Sequence, residues 1–161
     1  MEFVPGGIRL DDVSGGTLGA GVVPLSRFMR AEGAAKNAGA VTVTAAGVTI
    51  VSLTLPAPVV GDRVIVCAQV KMTKGAVAGR CEVSIDANCG AGLSVFEEAN
   101  APHTRGEIAI GAIFEHPLTG VGMVLEVAAD FVVDVNALSI GSDATVAIGG
   151  ASVYAFILRD S

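Results

Sequence analysis

The side chains best suited to chemistry in this 161-residue chain are two histidines, three cysteines and a few loosely spaced carboxylates. His103 and His116 are too few for most metal centres. Glu115 and His116 are adjacent, and adjacent residues on a strand face opposite ways. The spacing of the histidines and of Cys67, Cys81 and Cys89 matches no zinc cluster. The cysteines form no C-x-x-C pair, and an odd number is a poor disulfide framework; they read as small buried or half-buried thiols of a reducing compartment. Glu126, Asp130 and Asp134 have the residue type for paired acid–base work, but read more simply as markers of the wet side and ends of strands. Glu97-Glu98 reads as a solvated charge pair, because its surroundings are poor in oxygen ligands for Ca²⁺. There is no H-E-x-x-H, G-x-S-x-G or phosphate-binding loop, and no H-x-H of the cupin metalloenzymes. Trp is absent, and the single tyrosine, Tyr154, sits in an apolar run, so sugar-binding aromatic platforms are missing. No catalytic residue, cofactor or metal is therefore assigned, and an enzyme is not expected.

Composition moves attention from a site to a surface. Charged residues make up 16% and hydrophobic residues 52%, with 21 glycines besides; an ordinary soluble domain is ~25% charged. So few charges cannot cover a monomer of this size, and a large contact outside the chain is expected, in an oligomer or a larger assembly. The net charge of −6 and the scattered basic residues argue against nucleic acid. No charge falls between Lys36 and Asp62, but Gly39, Gly47, Pro56 and Pro58 interrupt that window. It reads as strands rather than a spanning helix of about 20 apolar residues, so no membrane partner is expected. The start, Met1-Glu2-Phe3, shows no basic or apolar leader pattern.

The elements follow from periodicity. Residues 1–36 read as an N-terminal arm. It is rich in glycine up to Val23, with the apolar anchors Phe3, Val4, Ile8, Leu10, Val13 and Leu18 spaced for docking on another surface. A short helix is expected at Pro24–Glu32, where Leu25, Phe28 and Met29 share a face. From 37 to 161 the period is two. Ala40–Thr44 and Val48–Leu55 suggest a hairpin through Ala45-Ala46-Gly47, and Pro56 and Pro58 end the second strand. In Asp62–Thr73, Val64, Val66, Ala68, Val70 and Met72 form one face. Lys74-Gly75 turns into Ala78–Ala87, with Cys81, Val83 and Ile85 inside. These parities put Cys67 outside and Cys81 inside, unable to bond. Asn88–Arg105 reads as the main loop. Glu107–Glu115 is a strand, His116–Gly120 a turn, Val121–Ala129 a strand, and Phe131–Val135 and Leu138–Ser142 follow. About eight short strands with regular turn signals indicate an all-β, jelly-roll-like β-sandwich of one domain.

The closing stretch organises the rest. Asp143–Arg159 reads as two strands meeting at Gly149-Gly150. In the second, Val153, Ala155 and Ile157 face one way and Tyr154, Phe156 and Leu158 the other. A strand with one wet face alternates apolar and polar residues. This one does not, so both faces need cover, and the second cover is another copy of the chain.

The run ATVAIGGASVYAFIL resembles the last hairpin of the trimeric jelly-roll modules of tailed-bacteriophage virions. These include capsid decoration (cement) proteins and fibre knobs, similar in shape to tumour-necrosis-factor and C1q-like trimers. The resemblance is one of pattern over Ala40–Arg159. It implies a homotrimer with Tyr154, Phe156 and Leu158 at a threefold axis. It also implies an arm that holds the major capsid protein of a viral shell, in a virion assembled in the host cytoplasm. The expected function is a decoration protein that binds the outside of a phage head and stabilises it. The alternatives are a tail-fibre or receptor-binding knob, with Asn88–Arg105 as a binding loop, and a small-ligand or metal-binding jelly-roll enzyme.

Overall fold

The computed structural model describes residues 3–4, 7–9 and 22–24 by their backbone, and residues 29–89, 95–96, 102–125 and 129–159 in full. Three short strands, β1 (Phe3–Val4), β2 (Gly7–Arg9) and β3 (Val22–Pro24), pair antiparallel in that order. The remaining strands are β4 (Met29–Lys36), β5 (Val41–Val43), β6 (Val48–Leu55), β7 (Arg63–Lys74) and β8 (Gly79–Asn88). They continue with β9 (His103–Ile108), β10 (Ile113–Met123), β11 (Phe131–Ser139) and β12 (Ala144–Leu158).

These strands form two antiparallel sheets. The first has the order β10-β7-β12-β4, with β5 also on β12; the second has the order β6-β11-β8-β9. The first long strand, β4, pairs with the last, β12, and β6 pairs with β11. The chain crosses between sheets after β4–β5, β6, β7, β9, β10 and β11. That nested order is a jelly-roll sandwich. The core lies between the sheets. Val64, Val66, Val70 and Met72 of β7 and Val153, Ala155 and Ile157 of β12 are buried from one side, and Val83, Ile85, Phe131, Val133 and Val135 from the other. Strict alternation along β7 and β11 puts every second side chain into that layer.

Face assignments read from the sequence hold in β7, β8 and β12, and several pairings do not. Met29–Lys36 is a strand in the first sheet, so no helix reaches Met29–Glu32, and the sandwich begins at Met29 rather than 37. Leu25 and Phe28 lie outside the described residues. β5 pairs with β12, not β6, so Ala45-Ala46-Gly47 carries the chain between sheets and closes no hairpin. Lys74-Gly75 likewise links strands of opposite sheets. His116–Gly120 is no turn but the middle of β10, and the turn lies instead at 109–112. Pro117 is tolerated because β10 is an edge strand, where a missing N–H breaks no ladder on the open side.

Asp143–Arg159 is one strand, not two. β12 bulges between Val146 and Ala151, and Gly149 there has φ +70°. Asn37, 5% exposed, pins the bulge. Its Nδ2 donates to the carbonyls of Gly39 and Ala147, both at 2.8 Å, and its Oδ1 accepts the Ala151 N–H at 2.8 Å. The bulge costs ladder hydrogen bonds with β7, and the amide side chain supplies replacements.

Candidate functional site: an uncovered apolar sheet face

The outer face of the first sheet follows from its registers. Phe156 on β12 stands opposite Ile65 on β7, which stands opposite Val121 on β10. One row on, Tyr154 opposes Cys67 and Cys67 opposes Thr119. On the other side, Leu158 opposes Arg63 and Arg63 opposes Met123. Apolar side chains from three adjacent strands thus lie together on the solvent side, with the exposed Arg63 between Leu158 and Met123 at one margin. Tyr154 is 54% exposed and Val121 67%, while Phe156, Leu158 and Ile65 are half-buried by one another. The rings of Tyr154 and Phe156 stack at 6.2 Å between centroids.

The other half of the face is polar. Gln69 donates to Glu115 at 3.0 Å, and Lys71 lies 3.6 Å from the same carboxylate. Ser152 and Lys36 continue that half across β12 and β4. The apolar band is therefore bounded within the sheet rather than spread over it. Tyr154, Phe156 and Leu158 lie on the face opposite the buried Val153, Ala155 and Ile157. Ile65, Val121 and Met123 join them only through register, which sequence periodicity does not give.

Two buried charges shape the two ends of the sandwich. At the end where β4 begins, Asp62 is 2% exposed. It accepts bidentate hydrogen bonds from the Arg30 guanidinium and the Val59 N–H at 2.8 Å. Gly61 N–H donates to the Val124 carbonyl, and Val124 N–H to the Asp62 carbonyl, both at 2.8 Å. At the opposite end, Lys74 is 2% exposed and has no carboxylate partner among the described residues. Its ammonium donates to Ser139 Oγ at 2.7 Å and to the carbonyls of Ile140 at 2.6 Å and Ser142 at 2.8 Å. Three donors meet three oxygens, which is the full capacity of the group. Both residues stand at strand ends, where a charge usually meets water, and nothing local marks them as buried.

The chemistry-bearing residues are spread out. His103 lies on β9 of the second sheet and His116 on β10 of the first, its ring 4.5 Å from that of Phe114. Cys67 is half-buried on the outer face, while Cys81 and Cys89 are buried, and burial pushes the Cys89 thiol up. Asp130 is exposed and Asp134 half-buried; Glu126 and Glu97-Glu98 lie outside the described residues. Among the described residues no group of three or more His, Cys, Asp or Glu is placed to hold a metal. No helix among them is long and apolar enough to cross a membrane. Of the arm anchors, Phe3 and Val4 lie in β1 and Ile8 in β2, with Phe3 opposite Ile8. Leu10, Val13 and Leu18 lie outside the described residues.

No family model and no curated protein matches the chain. Solved structures with a similar arrangement of strands exist. The infectious bursal disease virus Gt strain structure matches with TM-score 0.49 and 11% identity over 96% of this chain and 44% of the other. The VP2 subviral particle of the same virus gives 0.47 and 11% over 94% and 44%. The Eiger TNF of S. frugiperda gives 0.46 and 12% over 83% and 94%. The chain thus spans less than half the length of the viral chains it matches. The jelly-roll assignment rests on the strand order of the two sheets.

Proposed function

We propose that the chain is a structural virion protein, not an enzyme: a homotrimeric decoration protein that binds the outside of a phage head and stabilises it. The observation that carries this reading is the uncovered band of Tyr154, Phe156, Leu158, Ile65, Val121 and Met123. A contiguous apolar patch on an otherwise folded domain calls for a partner. A closed ring of copies covers it without leaving an open, polymerising end. The number three comes from the resemblance of the closing run to trimeric virion modules. The arm anchors Phe3, Val4, Ile8, Leu10, Val13 and Leu18 are assigned to the major capsid protein. Three arms on one ring convert weak individual contacts into firm binding, because the second and third engage at high effective concentration.

Native mass tests the assembly. A trimer runs at about 48 kDa, three times the 16.1 kDa chain. Phe156→Glu places a charge inside the band, at a half-buried position outside the core. It is expected to yield a folded species of single-chain mass, because an unpaired buried charge is not tolerated in an interface. A wild-type protein that stays monomeric at micromolar concentration overturns the reading.

A further inference from the structure

Lys36 and Lys71 are exposed, but Lys74 is 2% exposed and has no carboxylate partner among the described residues. An ammonium buried without a counter-charge has to be stabilised by dipoles alone. It meets Ser139 Oγ at 2.7 Å and the carbonyl oxygens of Ile140 at 2.6 Å and Ser142 at 2.8 Å. The Ser139 hydroxyl gives its own proton to the Ser142 carbonyl at 2.7 Å, so it turns a lone pair toward Lys74. Oxygens from one short stretch of chain thus aim the negative ends of their dipoles at a single point.

That cradle is held in place without the lysine side chain. Ser139 N–H donates to the Thr44 carbonyl at 3.0 Å and Ile140 N–H to the Arg80 carbonyl at 2.8 Å. Ser142 Oγ accepts the Val77 N–H at 3.0 Å and donates to the Val77 carbonyl at 2.8 Å. Gly75 N–H donates to the Asp143 carbonyl at 2.9 Å. The oxygens therefore keep their places when the ammonium is taken away. Carbonyl and hydroxyl oxygens placed in advance can replace the hydration shell of a monovalent cation. Divalent ions fit poorly: calcium and magnesium are held chiefly through carboxylates, and magnesium demands oxygens at about 2.0–2.1 Å. The 2.6 to 2.8 Å spacing around Lys74 Nζ suits ammonium instead.

We propose that residues 139–142 form a monovalent-cation site whose resident ion is the tethered ammonium of Lys74. The site recognises positive charge rather than a hydrogen-bond donor as such, and the free ions of its class are ammonium and potassium. Carrying the ion on a side chain keeps this end of the sandwich closed whatever the salt around it. The backbone of Lys74 joins a third segment to the same point: its N–H donates to the Ala112 carbonyl at 3.0 Å, and its carbonyl accepts the Gly111 N–H at 3.1 Å. One internal ion thus ties the connections that follow β7, β9 and β11. No residue of the apolar band takes part, so the inference is independent of the assembly reading.

The test compares urea unfolding midpoints of full-length protein in the chlorides of potassium, ammonium and tetramethylammonium, each variant against wild type in the same salt. Lys74→Ala empties the cradle. Its deficit should be largest with tetramethylammonium, which is too bulky to enter. With potassium or ammonium the deficit should shrink by roughly a third or more and go on shrinking with concentration, as for an ion that binds only the folded chain. Lys74→Met fills the space with an apolar chain and should keep one deficit in all three salts. Lys74→Ala with Ser139→Ala lacks one of the oxygens and should lose most of the recovery. The same deficit for Lys74→Ala in every salt overturns the proposal, and so does an equal recovery by Lys74→Met. If Lys74→Ala is unfolded in tetramethylammonium chloride, its native circular dichroism spectrum should return in ammonium or potassium chloride; failure to return there also overturns the site.

Discussion

Asp62 and Lys74 do similar work with opposite charges. Each sits at 2% exposure at a strand end and gathers backbone groups from separate segments. Removing either leaves buried partners without their bonds, which is where the energetic cost lies. Asp62→Ala should lower stability by about 2–4 kcal/mol, toward the lower side because Arg30 keeps partial access to water. Lys74→Met should cost about 2–4 kcal/mol, since Ser139 Oγ and two carbonyls lose a charged donor. Urea unfolding monitored by circular dichroism measures both. The thiols give a second residue-scale check. Cys89 is raised by desolvation, so its contribution to stability is complete below its ordinary value of 9.0 and is lost as pH rises past that toward its folded value. Cys89→Ala should flatten that part of the alkaline decline in unfolding midpoint. Cys67 should be the thiol that an alkylating reagent reaches first in a single-chain variant, and it should be shielded in the assembled ring.

At the scale of elements, alternation told which side chains are buried, and it could not tell which strands are neighbours. Val64 to Met72 and Val153 to Ile157 read correctly because burial on a strand has a period of two. The same pattern suggested a hairpin at Ala45–Gly47, since a short apolar-flanked turn is a local signal. In a jelly roll, successive strands often leave for the opposite sheet, and pairing is set by contacts far apart in sequence. Met29–Glu32, the end of the expected helix Pro24–Glu32, was misread for a related reason. The shared face of Leu25, Phe28 and Met29 is a local helix signal, and pairing of Met29–Lys36 along β12 overrides it at Met29–Glu32. The apolar band was half legible: Tyr154, Phe156 and Leu158 stood out as a second apolar face, while Ile65, Val121 and Met123 needed the register. Glycines enforce part of this architecture. A Cβ at Gly122 would meet the Val95 carbonyl oxygen at 2.3 Å. Gly141 has φ +97° and lies where a Cβ would meet the Ala78 carbonyl oxygen at 2.5 Å. Gly141→Ala should therefore destabilise by about 1–3 kcal/mol, read from the unfolding midpoint, whereas Gly39→Ala, with open space around it, should stay within about 0.5 kcal/mol.

For the molecule as a whole, the pairing of the earliest long strand with the final one has a consequence for synthesis. β12 is the last strand of the sandwich to be made, and it occupies the centre of the first sheet, between β7 on one side and β4 with β5 on the other. Until it leaves the ribosome, β4 and β5 have no ladder partner in that sheet. Val64, Val66 and Val70 also lack the inward row of Val153, Ala155 and Ile157 beside them. The sandwich cannot close domain-first as the nascent chain grows. At about 5–20 residues per second, the earlier strands wait for β12 before the core of the first sheet can form. A truncation before Ala144 should accumulate as insoluble or chaperone-bound chain, whereas a chain that includes β12 should be soluble and folded, as solubility and circular dichroism would show. The face that bears Tyr154, Phe156 and Leu158 is built from that same final strand. That face therefore comes into being only once the strand that closes the core has been made.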